Sequence, residues 1–129
     1  MNYFFDNCLS FRIAHALEHL MPEDTVKALR DVFDESTPDT KWLLDLSAKG
    51  RWAIISSDLI YKQADQRRAL VQSGHVLFVQ QKGWFRCPPL EQAWRLLKRW
   101  PEIAARAREA PARQCHLVPV KGKLRRVGL

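Results

Sequence analysis

Residues 51–58, Arg-Trp-Ala-Ile-Ile-Ser-Ser-Asp, decide the fold of this chain of 129 residues. The apolar run from Trp52 to Ile55 is typical of a strand buried on both faces, and such strands lie at the centre of parallel sheets. The run ends at Ser57 and Asp58, which are residue types common in turns. We therefore predict a central strand with a carboxylate at its carboxyl end.

Further strands are predicted outward from this one, at residues 2–5, 26–33, 75–79 and 114–120. Segments with helical spacing of apolar residues separate them and cover residues 9–20, 38–50, 63–73 and 90–110. Pro101 is expected to divide the last segment into two helices. Strands that alternate with helices predict an α/β domain of three layers, α/β/α, with a mostly parallel sheet of four or five strands.

The length predicts one domain, residues 1–120, followed by a basic tail, residues 121–129. Hydrophobic residues make up 47% of the chain, which is enough for a packed interior, and we find neither a membrane-spanning run nor a secretory signal. A cytoplasmic location is therefore expected. Cys8, Cys87 and Cys115 form no Cys-x-x-Cys pair, which argues against a disulfide framework and a structural zinc site.

Charge is divided unevenly along the chain. Residues 1–60 carry a net charge of −4 and residues 61–129 a net charge of +11. A basic half indicates a polyanionic partner, most simply nucleic acid, with an anionic membrane or an acidic protein as the alternatives. The candidate phosphate-contacting residues lie on two predicted helices and are Arg67, Arg68, Arg95, Lys98 and Arg99.

Aromatic residues could add base stacking to this basic half. Helical spacing predicts that Leu90, Trp94, Leu97 and Ile103 face the core. Trp84 lies in a glycine-containing loop and is predicted to be exposed, where it would meet a base or a partner protein.

Three aspartates converge on one edge of the predicted sheet. Asp6 ends the first strand, Asp39 opens the helix after the second strand, and Asp58 ends the third. Sites in open parallel sheets form beyond the carboxyl ends of the strands, so we expect these carboxylates to meet there. Each one alone has a structural explanation as a cap or turn residue, but together they would repel unless a cation neutralises them. Oxygen ligands favour Mg²⁺ or Mn²⁺, which would activate water for phosphodiester hydrolysis.

Three segments resemble the successive acidic motifs of PIN-like domains. They are Tyr-Phe-Phe-Asp-Asn-Cys-Leu at 3–9, Asp-Glu-Ser-Thr-Pro-Asp-Thr-Lys-Trp at 34–42 and Ala-Ile-Ile-Ser-Ser-Asp at 53–58, and the resemblance extends from about residue 2 to about residue 80. PIN-like domains are metal-dependent nucleases, and many bacterial members are the toxins of VapC-type toxin–antitoxin pairs. The resemblance implies an Mg²⁺- or Mn²⁺-dependent ribonuclease.

By that resemblance, the metal-binding and catalytic residues are Asp6, Asp39 and Asp58. Asp34 or Glu35 is a further candidate ligand, although a loop role alone explains both residues. The implied partners are RNA and, for a toxin, a cognate antitoxin protein. A homodimer is left open, and no membrane partner is expected.

One position departs from the family pattern. Many members carry another acidic residue a few positions after the one that matches Asp58, but here Leu59, Ile60 and Tyr61 follow, and Asp65 is the next carboxylate. The departure leaves open a one-metal site, weak activity, or an inactive module that binds nucleic acid or a partner on the same fold.

Two other functions compete with a nuclease. Residues 15–19, His-Ala-Leu-Glu-His, fit the pattern of inverted zinc peptidases, with two imidazoles one helical turn apart. A signalling receiver domain has a similar length and an aspartate at the end of its third strand, but it needs paired acids after the first strand, where Asn7 and Cys8 follow Asp6. Both alternatives rank below the nuclease.

Overall fold

The computed structural model describes residues 1–110 and 114–129. The strands are β1 (Asn2–Phe5), β2 (Thr25–Ala28), β3 (Ala53–Ser56), β4 (Val76–Gln80), β5 (Cys115–Val118) and β6 (Arg125–Val127). The helices are α1 (Phe11–Leu20), α2 (Leu29–Val32), α3 (Asp39–Ser47), α4 (Ala64–Ser73) and α5 (Pro89–Glu109), and 3₁₀ turns cover Ile60–Lys62 and Lys82–Arg86.

One sheet runs through the middle of the fold in the order β2-β1-β3-β4-β5-β6. Its first five strands are parallel, and β6 is antiparallel to β5. The predicted three-layer α/β/α class with a mostly parallel sheet is confirmed. Within the described residues the sheet has six strands rather than four or five, because the short basic segment at β6 gives no apolar signal in the sequence.

Alternation along the central strands divides the core into two layers. Tyr3 and Phe5 of β1 pack on the side of α1 and α5, and Phe4 packs on the side of α3. All three side chains are buried, and the ring of Phe4 stacks on that of Trp42 in α3 with centroids 5.0 Å apart. Burial on both faces also holds for β3, as its continuous apolar run predicts.

A buried histidine fixes the start of β4 between β3 and α3. His75 Nδ1 accepts a hydrogen bond from the Trp52 backbone N–H at 3.1 Å, and its Nε2 donates to the Leu43 carbonyl at 3.0 Å. Burial lowers the pKa of His75 to about 4. The neutral ring therefore serves as a structural cross-link.

The prediction of one strand over residues 26–33 is wrong beyond Ala28. The chain turns into α2 there, because the Asp31 carboxylate accepts a hydrogen bond from the Ala28 backbone N–H at 2.8 Å and closes a helical turn. The apolar positions 29, 32 and 33 follow the helical spacing of that turn and not the alternation of a strand.

The prediction of two helices over residues 90–110 is also wrong, because α5 is continuous with Pro101 inside it. Proline removes one backbone hydrogen bond, and the packing of the helix against the sheet outweighs that loss. The buried stripe contains Leu96, Trp100 and Ile103. Of the four residues that we predicted to face the core, Ile103 does so, whereas Leu90, Trp94 and Leu97 are exposed by 81%, 47% and 40%.

Trp84 is buried and not exposed as predicted. Its Nε1 donates to the Val118 carbonyl at 2.9 Å, so the 3₁₀ turn Lys82–Arg86 is fastened to the end of β5. A Cβ at Gly83 would lie 2.8 Å from Val120 Cγ2, so this close approach requires glycine. The exposed aromatic of the turn is Phe85, at 62%.

The predicted basic tail contains β6, which pairs with β5 from Arg125 to Val127. Leu124 is buried beside it. The guanidinium of Arg99 in α5 donates to the carbonyls of Pro119 and Gly122 and so ties the preceding loop to the helix layer. In the described part of the chain, no helix has the length and apolar character needed to span a membrane.

Candidate metal centre

The strand register brings Asp6 and Ser56 together at one edge of the sheet. Strands β1 and β3 are parallel neighbours with Phe5 opposite Ile55, and the Asp6 backbone N–H continues the ladder by donating to the Ile55 carbonyl at 3.0 Å. The sheet extends from β1 to β2 in one direction and to β3 in the other. This is the topological switch point at which open α/β sheets form their ligand sites.

Asp6 is a buried carboxylate with a partner for each oxygen. Its Oδ1 accepts from the Asn7 backbone N–H at 2.6 Å, and its Oδ2 accepts from the Ser56 hydroxyl at 2.8 Å. Burial raises the pKa of Asp6 to about 6, the charges of Asp39 and Asp58 act in the same direction, and the two hydrogen bonds only partly oppose them. The ionised form is therefore costly unless a cation lies beside it.

Ser56 connects the loop after β1 to the loop after β3. It is completely buried, and its hydroxyl donates to Asp6 while accepting from the Asp58 backbone N–H at 3.0 Å. Cys8 Sγ lies 3.6 Å from the same hydroxyl and accepts from the Ser57 N–H at 3.3 Å. The loops that carry Asp6 and Asp58 are thus held by one side chain.

Asp6, Cys8 and Asp58 each place a ligand atom within 4.8 Å of the others. The partial burial of the Cys8 thiol, together with the charge of Asp6, raises its pKa and keeps it protonated. Mg²⁺ and Mn²⁺ prefer oxygen to sulfur ligands, so the two carboxylates are the donors that this arrangement offers to such an ion. Carboxylate oxygens close to one another fit a hard divalent cation.

Asp39 lies on the same edge but outside this group of three. It begins α3, and its Oδ1 accepts a hydrogen bond from Trp42 Nε1 at 2.8 Å. Burial raises the pKa of Asp39, as do the charges of Asp58 and of Asp65 in the first turn of α4. Asp39 is therefore within electrostatic reach of the other carboxylates, and Asp65 is close enough to act on it.

A family model described as a PIN like domain matches residues 1–82. The chain belongs to the PIN-like domain family. Searches of curated proteins and of solved structures gave no match. Membership gives this PIN-like domain a nuclease-type fold, and it favours a nuclease over the receiver domain considered above. Members of the family commonly bind divalent metals, which agrees with the acidic group at the edge.

Asp34 and Glu35 have local partners in this PIN-like domain. Asp34 Oδ1 accepts from the Ser36 backbone N–H at 2.9 Å and from its hydroxyl at 2.7 Å, and these bonds lower the pKa of Asp34. Glu35 forms an ion pair with Arg30 at 2.5 Å. Within the described residues, neither carboxylate belongs to the group formed around Asp6.

The five basic residues predicted to contact RNA differ in their surroundings. Arg67 and Arg68 on α4 and Lys98 on α5 are exposed and form no ion pair in the described part of the chain. Arg95 pairs with Glu91 at 3.3 Å, and Arg99 holds two backbone carbonyls. RNA contact remains a prediction for all five residues, and the first three have the more accessible charges.

The peptidase-like segment is used for pairing within the protein. His15 Nε2 lies 3.0 Å from both oxygens of Asp31, and Glu18 pairs with Lys27 at 3.3 Å. Among the described residues, no group of three metal-ligating side chains forms around these histidines. The segment therefore stabilises the contact of α1 with β2 and α2.

Sequence reasoning found Asp6 and Asp58 but missed Ser56 and Cys8 at the same edge. Ser56 carries a signal in retrospect, since it is a small polar residue at the end of a strand that is otherwise apolar. Cys8 carries none, because its role depends on the path of the loop after β1.

Proposed function

We propose that this PIN-like domain is a metal-dependent ribonuclease that hydrolyses phosphodiester bonds in RNA. The observation that carries the proposal is the convergence of Asp6 and Asp58, from segments 52 positions apart, with their oxygens within 4.8 Å. Carboxylates at this separation favour a bound cation, and the edge where they lie is the one that open α/β sheets use for ligands.

Asp6 and Asp58 would hold Mg²⁺ or Mn²⁺, with Asp39 close by on the same edge. Bound there, the ion would supply activation of water and stabilisation of charge on the phosphate oxygens. The protein contributes the arrangement: Ser56 and Asn7 fix both oxygens of Asp6, and Trp42 fixes one oxygen of Asp39. The carboxylates of Asp6 and Asp39 are therefore held in position before a cation binds.

The position of Asp65 favours an active nuclease rather than an inactive binding module. The position where many family members carry a further acid is occupied here by residues that include the fully buried Ile60. Asp65 lies a few residues later, and its charge acts on Asp39. The first turn of α4 therefore offers a carboxylate to the same edge.

RNA is the proposed substrate because the chain joins this acidic edge to a strongly basic second half. Residues 61–129 carry a net charge of +11, and Arg67, Arg68 and Lys98 are exposed there. Basic side chains of this kind neutralise phosphates and make binding dependent on salt. For a toxin of the VapC type, the proposed protein partner is an antitoxin that covers the acidic edge or inserts a basic residue among the carboxylates.

The test compares the wild type with Asp6→Asn, Asp39→Asn and Asp58→Asn on end-labelled RNA, with Mn²⁺ and with a chelator. Cleavage should require the metal, and each substitution should reduce it. Asp34→Asn is the matched control, because Asp34 is an exposed carboxylate bonded only to Ser36 among the described residues. Cleavage that persists in chelator, or in all three variants, contradicts the proposal, and RNA binding without cleavage shows the inactive module instead.

A further inference from the structure

A cavity of about 640 Å³ opens at the carboxyl ends of β3, β4 and β5, directly beside the acidic edge. Ser57 and Leu59, which flank Asp58 in the chain, line one side of it. Ser57 also donates its N–H to Cys8, so the wall of the cavity is continuous with the candidate metal centre. The volume lies within the range of pockets that enclose small ligands, about 300–1,000 Å³.

The lining combines a buried apolar floor with exposed apolar groups at the mouth. Val79 and Leu117 are buried beneath the cavity. Phe85 and Leu59 line it as well, yet they are exposed by 62% and 47%. An exposed aromatic ring beside an apolar floor suits a flat ligand that can stack on the ring.

The polar groups of the cavity favour an anionic ligand with hydrogen-bonding edges. Lys62 and Lys82 line it and are exposed, and its lining contains no carboxylate among the described residues. Gln80 also lines the cavity and is 4% exposed. Its side-chain amide offers both hydrogen-bond donors and an acceptor to a ligand in the cavity.

We propose that this cavity takes one unstacked nucleobase of the RNA strand, next to the phosphate that lies over the acidic edge. The proposal rests on the proposed function, and it adds a subsite that selects single-stranded RNA. Phe85 stacks on the base, Gln80 bonds to an edge of the base, and Lys62 and Lys82 contact the flanking phosphates. A purely apolar peptide segment would make no use of the two lysines or of the amide.

The test measures binding of a short fluorescent single-stranded RNA to the wild type in chelator, so that cleavage does not enter the readout. An otherwise identical series of RNAs lacks the base at one position at a time. Loss of a stacked base should weaken binding of the wild type about 5- to 100-fold at one position of the series. Phe85→Ala should weaken binding of the intact RNA by a similar factor. This variant should then bind the RNA that lacks the sensitive base as tightly as it binds the intact RNA.

Leu20→Ala is the matched control, because Leu20 is exposed by 63% and lies on α1 away from the cavity lining. It should bind both kinds of RNA as the wild type does. Gln80→Ala is the second variant, and it should reduce the differences in affinity among RNAs that carry different bases at the sensitive position. Far-ultraviolet circular dichroism of each variant verifies the fold.

Equal binding of intact RNA and of every abasic RNA by the wild type overturns the proposal, including the case in which a protein segment occupies the cavity. If the wild type cleaves RNA in Mn²⁺ but binds intact and abasic RNAs equally, the nuclease function stands and the base subsite fails. If base-dependent binding is found without cleavage, the subsite stands and the nuclease function fails.

Discussion

Replacing Asp6 with asparagine should stabilise the metal-free protein while it impairs the metal centre. Burial, with the charges of Asp39 and Asp58, raises the pKa of Asp6 from 3.8 to about 6. The folded protein therefore keeps this proton between about pH 4 and pH 6, where the unfolded chain has lost it. Since the folded state binds more protons in this range, the contribution of Asp6 to stability falls as the pH rises through it.

The magnitude follows from the size of the shift. A change of one pKa unit corresponds to about 1.4 kcal/mol, so the ionised Asp6 carboxylate costs about 3 kcal/mol above the pKa of the folded state. Asparagine carries no charge, and its carbonyl oxygen can still accept from the Asn7 backbone N–H. The Asp6→Asn variant should therefore exceed the wild type in unfolding free energy by up to about 3 kcal/mol at about pH 8, and by little at about pH 4.

Urea unfolding in chelator at a series of pH values measures this difference. The pKa values of His75 and His116 are lowered to about 4 by burial, so both histidines make the wild type lose stability as the pH falls below about 6.5. Because they act alike in both proteins, subtracting the two curves isolates Asp6. Asp34→Asn is the control, and it should change the unfolding free energy at neutral pH in the opposite direction. The folded-state pKa of Asp34 is lowered, so its charge favours folding at neutral pH.

A variant that is no more stable than the wild type at about pH 8, or a stability difference that does not change with pH, refutes this reasoning. Either result would mean that the Asp6 carboxylate is hydrated well enough for its charge to carry no cost. The electrostatic reason for expecting a cation between Asp6 and Asp58 would then be lost as well.

Three further predictions follow from the same contacts. Mn²⁺ or Mg²⁺ should stabilise the wild type, by about 2.7 kcal/mol at one hundred times the dissociation constant, and should have little effect on the unfolding midpoint of Asp6→Asn. Ser56→Ala removes a hydrogen bond that lowers the pKa of Asp6, so the acidic limb of the plot of cleavage rate against pH should move up by about one pH unit. The control is Ser57→Ala, which should leave this limb in place because the Ser57 hydroxyl has no partner among the described residues. Arg99→Ala should lower the unfolding free energy by about 1–3 kcal/mol because two carbonyls lose their donor, whereas Lys98→Ala should leave stability unchanged and weaken RNA binding most at low salt.

The sequence could predict the meeting of Asp6 and Asp58 because it requires only that two apolar strands be parallel neighbours. The contacts of Ser56 are finer, since they depend on the register that places Phe5 opposite Ile55. A shift of one residue would turn the Ser56 side chain to the other face of the sheet. No local sequence feature determines the register, so the role of the Ser56 side chain was not predicted.

Helix α5 shows a different limit of sequence patterns. Two stripes on this helix have helical spacing, one at 90, 94 and 97 and the other at 96, 100, 103 and 107. Periodicity alone cannot choose between them. The contact of Trp100 with Tyr3, whose ring centroids lie 4.9 Å apart, belongs to the packing that turns the second stripe inward. The same packing keeps the helix continuous through Pro101, although local propensity predicts a break.

The proposed base subsite extends beyond the part of the chain that the family model matches, whereas the metal centre does not. Asp6, Asp39 and Asp58 all lie within residues 1–82, the part that the PIN-like model covers. Phe85 and the segment from Leu117 to Val120, which complete the proposed base subsite, lie beyond it. An acidic edge built from the matched segment can therefore be combined with a cavity completed by later elements. On this argument, stacking of the base depends on Phe85, outside the matched segment, whereas the hydrogen bond to the edge of the base depends on Gln80, inside it.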